Sequence, residues 1–559
     1  MKKLLLALVL TFGFMPAAHA TRRYVSAPTN QPAGNNSNPG TLALPYATIQ
    51  YAANLVLPGD TVFVRGGTYT NACSTCHVAS ITRPGTASKW IVFLNYPGER
   101  PLLQFDGWGG FQVRPGGAYI EVNGFRMQGP AARLTLAAAL TQNQSCNPDG
   151  TKQAGDFNPL YNGHGIEANG RDATSTLGRP HHLRFLNNEV FECGAAGINT
   201  IQCDYITVSN NLIYNNCWYT LFGTSAISLY QNWNSDFKRG YHNVVRNNRC
   251  FGNRLYVKWY RECAIYDGNG IIIDDSRNSQ NGSTLGAFQG RTLITNNVLA
   301  GNGGSGIHAY QSDHIEIVNN TAYQNSQTPE INAGEILGYN VSDVFIGNNI
   351  IVALADNRLN TATGNQNVTY RNNLFFGGTT AAVLGLAPVQ ADPLFRNANT
   401  SWATADFHLL AGSPAIDAGT ATSAPATDFD GRARPQGAGY DIGAFEYSAL
   451  AQRGGAVAGA PLVTTTANAA TTASTLELYP NPSDGSYLTV RYVAATAGPV
   501  TLQLLDGLGR VLLTRSVSGM VGENVSSMAL AEQVAAGTYT LRLTAPGGAV
   551  QHQQLVVLR

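Results

Sequence analysis

The sequence predicts an all-β protein: a solenoid of stacked parallel strands, followed by a small C-terminal β-sandwich. Three observations carry this. An aliphatic strand followed by an Asn-Asn pair recurs seven times. Charged residues make up only 12% of the chain, against 60 glycines and 25 tyrosines, a balance that favours turns and strands over helices. The last 85 or so residues change texture to alternating strands joined by Gly-containing turns.

In chain order, residues 1–20 hold two lysines, an apolar run and an Ala-His-Ala ending, the pattern of a cleaved export signal. No later apolar stretch approaches the ~18 residues of a spanning helix, so no membrane span is expected. The formal charge of +1 becomes −1 once Lys2 and Lys3 are removed, which gives no field favouring nucleic acid. The eight cysteines all follow the signal, and in an exported chain they can form disulfides. Cys193, Cys203, Cys217, Cys250 and Cys263 fall in the central repeats, where neighbouring coils can bring two together, and their pairing is left open.

The repeats read LRFLNNEVF, ITVSNNLIY, NVVRNNRCF, LITNNVLA, IEIVNNTAY, VFIGNNIIV and VTYRNNLFF. Their first asparagines are Asn187, Asn210, Asn247, Asn296, Asn319, Asn348 and Asn372, in steps of 23, 37, 49, 23, 29 and 24. Short steps are single coils and long steps are coils carrying inserted loops. One coil cannot bury its own apolar face, so the coils must stack. Asn suits the corner because it tolerates a left-handed backbone and can hydrogen-bond to its equivalents above and below.

These repeats, with the entry segment YATIQYAANLVLPGDTVFVRGGTYT and the run WIVFLNYPGERPLL, resemble right-handed parallel β-helix proteins that include pectate lyases, other polysaccharide lyases and several glycoside hydrolases. The resemblance covers about residues 24 to 395 and implies a right-handed β-helix over residues 21–390. Residues 391–447, with ADPLF, DFHLLAGSPAIDAGT and YDIGAFEY, are similar to the module closing many exported β-helices, and we expect them to cap the last coil. Residues 448–473 are rich in Ala, Thr and Gly and read as a linker. Residues 474–559, with YPNP, LLDGLGRVL and GTYTLRL, resemble the sorting domain of type IX secretion. That implies the secretion machinery as a partner and release at the surface or into the medium. A carbohydrate-binding sandwich is disfavoured by the absence of Trp from this module.

Aligning coils on the residue opening the strand after the corner stacks GIEANG, GINTIQ, AISLYQ, GIIIDD and GIHAYQ. Glu167, Asn199, Ser228, Ile272 and His308 then form one column. Asn169, Ile201, Tyr230, Asp274 and Tyr310 form a second, and Gln202, Gln231, Asp275 and Gln311 a third. Alternate strand residues face outward, so a polar, aromatic-bordered stripe suited to an extended sugar chain is expected. Long insertions beside it supply Trp233, Trp259, Lys258, Arg261, Asp267 and Arg277.

Asp274-Asp275 is the most pointed feature, because adjacent carboxylates are unlikely to serve packing. In a glycosidase they act as acid and base or nucleophile with Asp267, Glu262 or Asp236. In a lyase they hold Ca²⁺ against a uronate while Lys258, Arg261 or Arg277 removes the proton at C5. The catalytic candidates are Asp274, Asp275, Lys258, Arg277, Asp267 and His308. Those for substrate binding are Tyr230, Gln231, Trp233, Trp259, Tyr310 and Gln311, with Ca²⁺ as the one cofactor considered. His314 lies near the same surface. Cys73-Ser-Thr-Cys76-His77 matches a haem-attachment pattern but sits in a loop, where a local disulfide or two separate ones are expected. GNGGSG from Gly301 is a turn rather than a dinucleotide fingerprint, and Asp267-Gly-Asn-Gly lacks the remaining spacing of a calcium loop.

The expectation is a monomeric, secreted enzyme that degrades an acidic polysaccharide, as a lyase first and as a glycoside hydrolase second. A non-catalytic glycan-binding surface protein is the alternative from another class.

Overall fold

The structure is a computed structural model. It describes residues 21–448 except 143–144, 148, 153–155 and 175, and the strands with part of their connections between 476 and 557. The expected export signal and, from residue 449, the expected linker lie outside the described residues.

Three parallel sheets of 11, 9 and 11 strands form the body. The first sheet runs from Arg22–Val25 to Gln366–Arg371, the second from His77–Ile81 to Asn360–Thr363, and the third from Gly67–Thr70 to Val389–Gln390. A coil gives one strand to each, as in His181–Leu186, Glu189–Phe191 and Ile198–Ile201. Ile198, Ile227, Ile271, Ile307 and Ile336 pair in register on consecutive coils and are wholly buried. Each such side chain contributes ~1.5–3 kcal/mol of burial, so core filling rather than local propensity holds the coils together. The helix Ile49–Leu55, N-capped by Thr48, covers the open first coil.

The Asn-Asn corner divides its two tasks between its two residues. The first Asn of each pair takes the left-handed turn, with φ between 50° and 59°. The second is buried and forms the ladder Asn188, Asn211, Asn248, Asn297, Asn320, Asn349, Asn373. Along it each Nδ2 donates to the next Oδ1 at 2.9–3.1 Å. A second ladder was not foreseen. Asn216, Asn253, Asn302 and Asn325 stack in the same way, with side-chain bonds of 2.7–2.9 Å, and end on the buried Glu335. These asparagines fall five residues after Asn211, Asn248, Asn297 and Asn320, a recurrence the sequence did carry.

Residues 391–447 do not close the last coil. That end is covered by residues around Ala381, Val383 and Leu384, which pack on the core. The segment lies instead along the outer face of the third sheet, because that face is apolar and needs covering. Phe191, Tyr214, Phe251, Val298 and Ala300 meet Ala405, Phe407, Ala444 and Phe445, while Ile350, Val352 and Leu374 meet Leu409, Ala415 and Ile442. The wholly buried Arg434 bolts it down. Its guanidinium donates to Glu446 at 2.7 Å, to the Gly443 carbonyl at 2.9 Å and to the corner residue Asn296 at 3.1 Å.

His408 in this segment bridges Asp406 at 2.5 Å and Asp430 at 2.8 Å. Burial alone would lower the imidazole's pKa, but the two carboxylates outweigh burial and raise it to about 9. A raised pKa gives stability that is complete below the unfolded value near 6.5 and is lost as pH rises through about 9. The melting temperature of the β-helix should therefore fall between pH 6.5 and 9.5, and His408→Gln should flatten that slope; calorimetry across this range checks it.

Two disulfides form, Cys73–Cys76 and Cys146–Cys263, while Cys193, Cys203, Cys217 and Cys250 are buried free thiols. The bridged partner of Cys263 thus lies in an inserted lobe, not in a neighbouring coil. That lobe packs Ala131, Ala139 and Tyr161 on Tyr219, Leu221 and Val257. Closing a loop of 117 residues is worth about 5 kcal/mol in chain entropy. Replacing Cys146 and Cys263 by Ser should lower the denaturant midpoint, read by urea titration.

At the C-terminus, antiparallel sheets of three and four strands enclose a core that includes Leu488, Val490, Tyr492, Leu502, Leu504, Leu541 and Leu555, a small β-sandwich. Among the described residues no helix is long and apolar enough to cross a membrane.

Candidate active site

The outer face of the second sheet carries the stripe, and its register is that of the sequence alignment. Asn169, Ile201, Tyr230, Asp274, Tyr310 and Tyr339 pair successively along one column. Gln202, Gln231, Asp275 and Gln311 follow at φ 46–54°, so the chain turns sharply after each outward residue.

That turn separates the two adjacent acids. Asp274 stays half-buried on the outer face and accepts one bond, from Gln280 Nε2 at 3.1 Å. Burial, then the neighbouring charge of Asp267, lifts its pKa well above the usual carboxylate range. Asp267 itself is raised to about 6 by burial, eased by a 3.0 Å bond from Asn269. Asp267 packs against Gly223, where a Cβ would lie 2.5 Å from its Oδ2 and 4.0 Å from the Trp259 ring. Trp259 and Asp267 therefore converge on one spot.

Asp275, by contrast, is wholly buried, and the expectation of a catalytic role is corrected. Its Oδ1 accepts from Ser279 N and Oγ at 2.8 and 2.9 Å, and its Oδ2 from Gln231 and Gln280 N at 2.9 Å each. It anchors the loop that follows. Gln231 is spent on the same anchor and is buried, so it does not face a substrate. Gln311 accepts from Gln280 at 3.2 Å.

Around Tyr230 the sequence reading missed Asn281 and Arg171, though it had singled out Arg261. Asn281 donates to its hydroxyl at 2.6 Å, the Arg171 guanidinium lies 5.5 Å from its ring centre, and Arg261 reaches both Tyr260 and Asn281. Tyr310 and Tyr339 stack at 5.1 Å, extending the aromatic border.

Of the other expected residues, His308 stays on this face, its ring centre 5.6 Å from that of Tyr310. Arg277 is committed to Asp313 through two bonds of 2.7 and 2.8 Å, which removes it as a free base. Lys258 is exposed and makes no hydrogen bond or ion pair among the described residues. His308 is 9% exposed, neither ring nitrogen has a partner, and burial lowers its pKa to about 3. Burial thus favours its neutral form. Trp233 lies by Arg179 and His181, towards the first sheet. Asp236 pairs with Tyr205 and Lys238, and His314 with Asp343.

Calcium takes six to eight oxygen ligands. Among the described residues no three or more His, Cys, Asp and Glu side chains are grouped to hold an ion, and Asp275 already has both oxygens filled. The side chains present do not fit the expected Ca²⁺ site.

The family model for the Pel9A-like right-handed β-helix region matches residues 29–340. This chain belongs to that family. The secretion-system C-terminal sorting domain matches residues 477–558, so the Pel9A-like helix is exported by the type IX route to the cell surface or medium. Pectate lyase PEL9 of Emericella nidulans is 36% identical over 88 residues, 16% of this chain; the match spans only 19% of that relative. Among solved structures, pectate lyase Pel9A is similar at 18% identity and a TM-score of 0.46, covering 77% of this chain and 97% of the other. A rhamnogalacturonan lyase is similar at 14% identity and a TM-score of 0.33, covering 64% and 74%.

Proposed function

We propose that this Pel9A-like protein is a secreted lyase that cleaves an acidic, uronate-containing polysaccharide by β-elimination on the outer face of the second sheet. The observation that carries the reading is the pair Asp267 and Asp274, set apart in acidity and flanked by Arg171, Arg261 and the Tyr230 and Tyr310 rings. Elimination needs a base for the C5 proton, a positive or hydrogen-bonding partner for the uronate carboxylate, and a proton for the leaving oxygen. Asp267, with its pKa near 6, is mostly ionised at neutral pH and basic enough to take the C5 proton. Asp274 stays protonated and donates to the leaving oxygen, and the two arginines pair with the carboxylate. The pectate-lyase relatives make a uronan the first substrate to test.

One observation also favours glycoside hydrolysis: two carboxyls of different acidity are what an acid and base pair requires. The mature protein should be incubated with acidic and neutral polysaccharides, following ultraviolet absorbance of unsaturated uronates alongside reducing ends. Both signals together are expected. Reducing ends without absorbance would replace elimination by hydrolysis, and binding without either product would leave a glycan-binding protein.

A further inference from the structure

Three coils towards the N-terminus, the same outer face holds a second polar cluster that the proposed chemistry does not use. Glu167, three steps in register from the coil of Asp274, lies about 14 Å away along the solenoid at the usual strand spacing. Its carboxylate accepts from Gln112 at 3.0 Å and from Asn169 at 3.1 Å, and Gln112 in turn accepts from Ser80 at 3.1 Å. His77 Nε2 stands 3.7 Å from Glu167, beyond hydrogen-bond length, and the side chains of both residues are largely buried, at 7% and 13% exposure. His164, 6% exposed, adjoins them on the strand that carries Glu167.

Two features point to a ligand. His77 Nε2 and His164 Nδ1 are both buried without a hydrogen-bond partner, a costly arrangement unless something supplies one. Glu167 also keeps acceptor capacity beyond its two amide donors. Burial works against its charge, but in the acid range where Glu167 titrates the neighbouring imidazoles take up protons and, with the amide bonds, hold its pKa below the usual carboxylate value. Burial keeps His77 neutral, at about 4. The cluster thus sets one carboxylate among imidazoles and amides, with Arg114 and Arg171 as neighbouring cations.

We propose that the Glu167 cluster is a remote subsite of the same glycan groove that takes an uncharged, hydroxyl-bearing sugar unit and rejects a uronate. Sugar hydroxyls donate to Glu167 and give partners to the buried nitrogens of His77 and His164, whereas a uronate would set its carboxylate against that of Glu167. The inference rests on a glycan lying along this face and makes the preferred polymer one that mixes charged and neutral units.

The test uses the full mature protein and polygalacturonate and alginate, each in native and partly carboxyl-reduced form. Binding is read by affinity electrophoresis and cleavage by kcat/KM. The wild type should favour a reduced form on the order of tenfold, the scale of one charged hydrogen bond. Glu167→Gln, which keeps the shape, should bring that ratio close to one. Equal binding of native and reduced forms by the wild type, or an unchanged ratio in Glu167→Gln, would overturn the subsite. Preferential binding lost in Glu167→Gln, without any cleavage, would uphold the subsite and refute the lyase reading.

Discussion

Asp274→Asn is expected to lower kcat on a cleavable uronan by about a hundredfold to ten-thousandfold, the usual worth of a positioned proton donor. The substitution keeps an oxygen for Gln280, so the fold should survive, and an unchanged melting temperature is the control. Asp267→Asn should cost a similar factor, and the double variant little more, because the two groups act in one proton transfer sequence. In the wild type, activity should rise with pH through about 6 as Asp267 loses its proton. Asp274→Asn with more than half the normal kcat would remove the carboxyl pair from the chemistry altogether.

Arg434→Met should destabilise the β-helix by about 3–5 kcal/mol, because Glu446 would remain buried without its cation. Urea titration of the mature protein measures it. The double variant Arg434→Met with Glu446→Gln should recover part of the loss, since it leaves no buried charge. The corner residue Asn296 and the Gly443 carbonyl would still lack their guanidinium, so recovery should be incomplete. Equal stability of Arg434→Met and wild type would mean that the flank segment is held by its apolar contacts alone.

The solenoid, its corners and the outward columns were legible because they repeat: a residue such as Tyr230 could be placed by its equivalents Asp274 and Tyr310. What happens one residue later was not. Asp274 and Asp275 look alike in sequence, and only the left-handed turn at Asp275, with four donors waiting beneath, decides which one faces outward. Arg171 and Asn281 escaped notice because they reach Tyr230 from loops 59 and 51 residues distant, where no period relates them. The flank segment misled for a related reason. A strand of three residues such as Glu189–Phe191 is too short to reveal that its outward side chain needs a cover.

The asparagine ladder joins residues 23, 37, 49, 23, 29 and 24 positions apart with the same bond, at 2.9–3.1 Å. The scaffold therefore does not register how much chain is looped out between corners. Loops bearing Trp259, Asp267 or Asn281 can lengthen, shrink or be exchanged between related solenoids without altering the rungs, so substrate choice and folding are free to evolve on separate parts of the sequence.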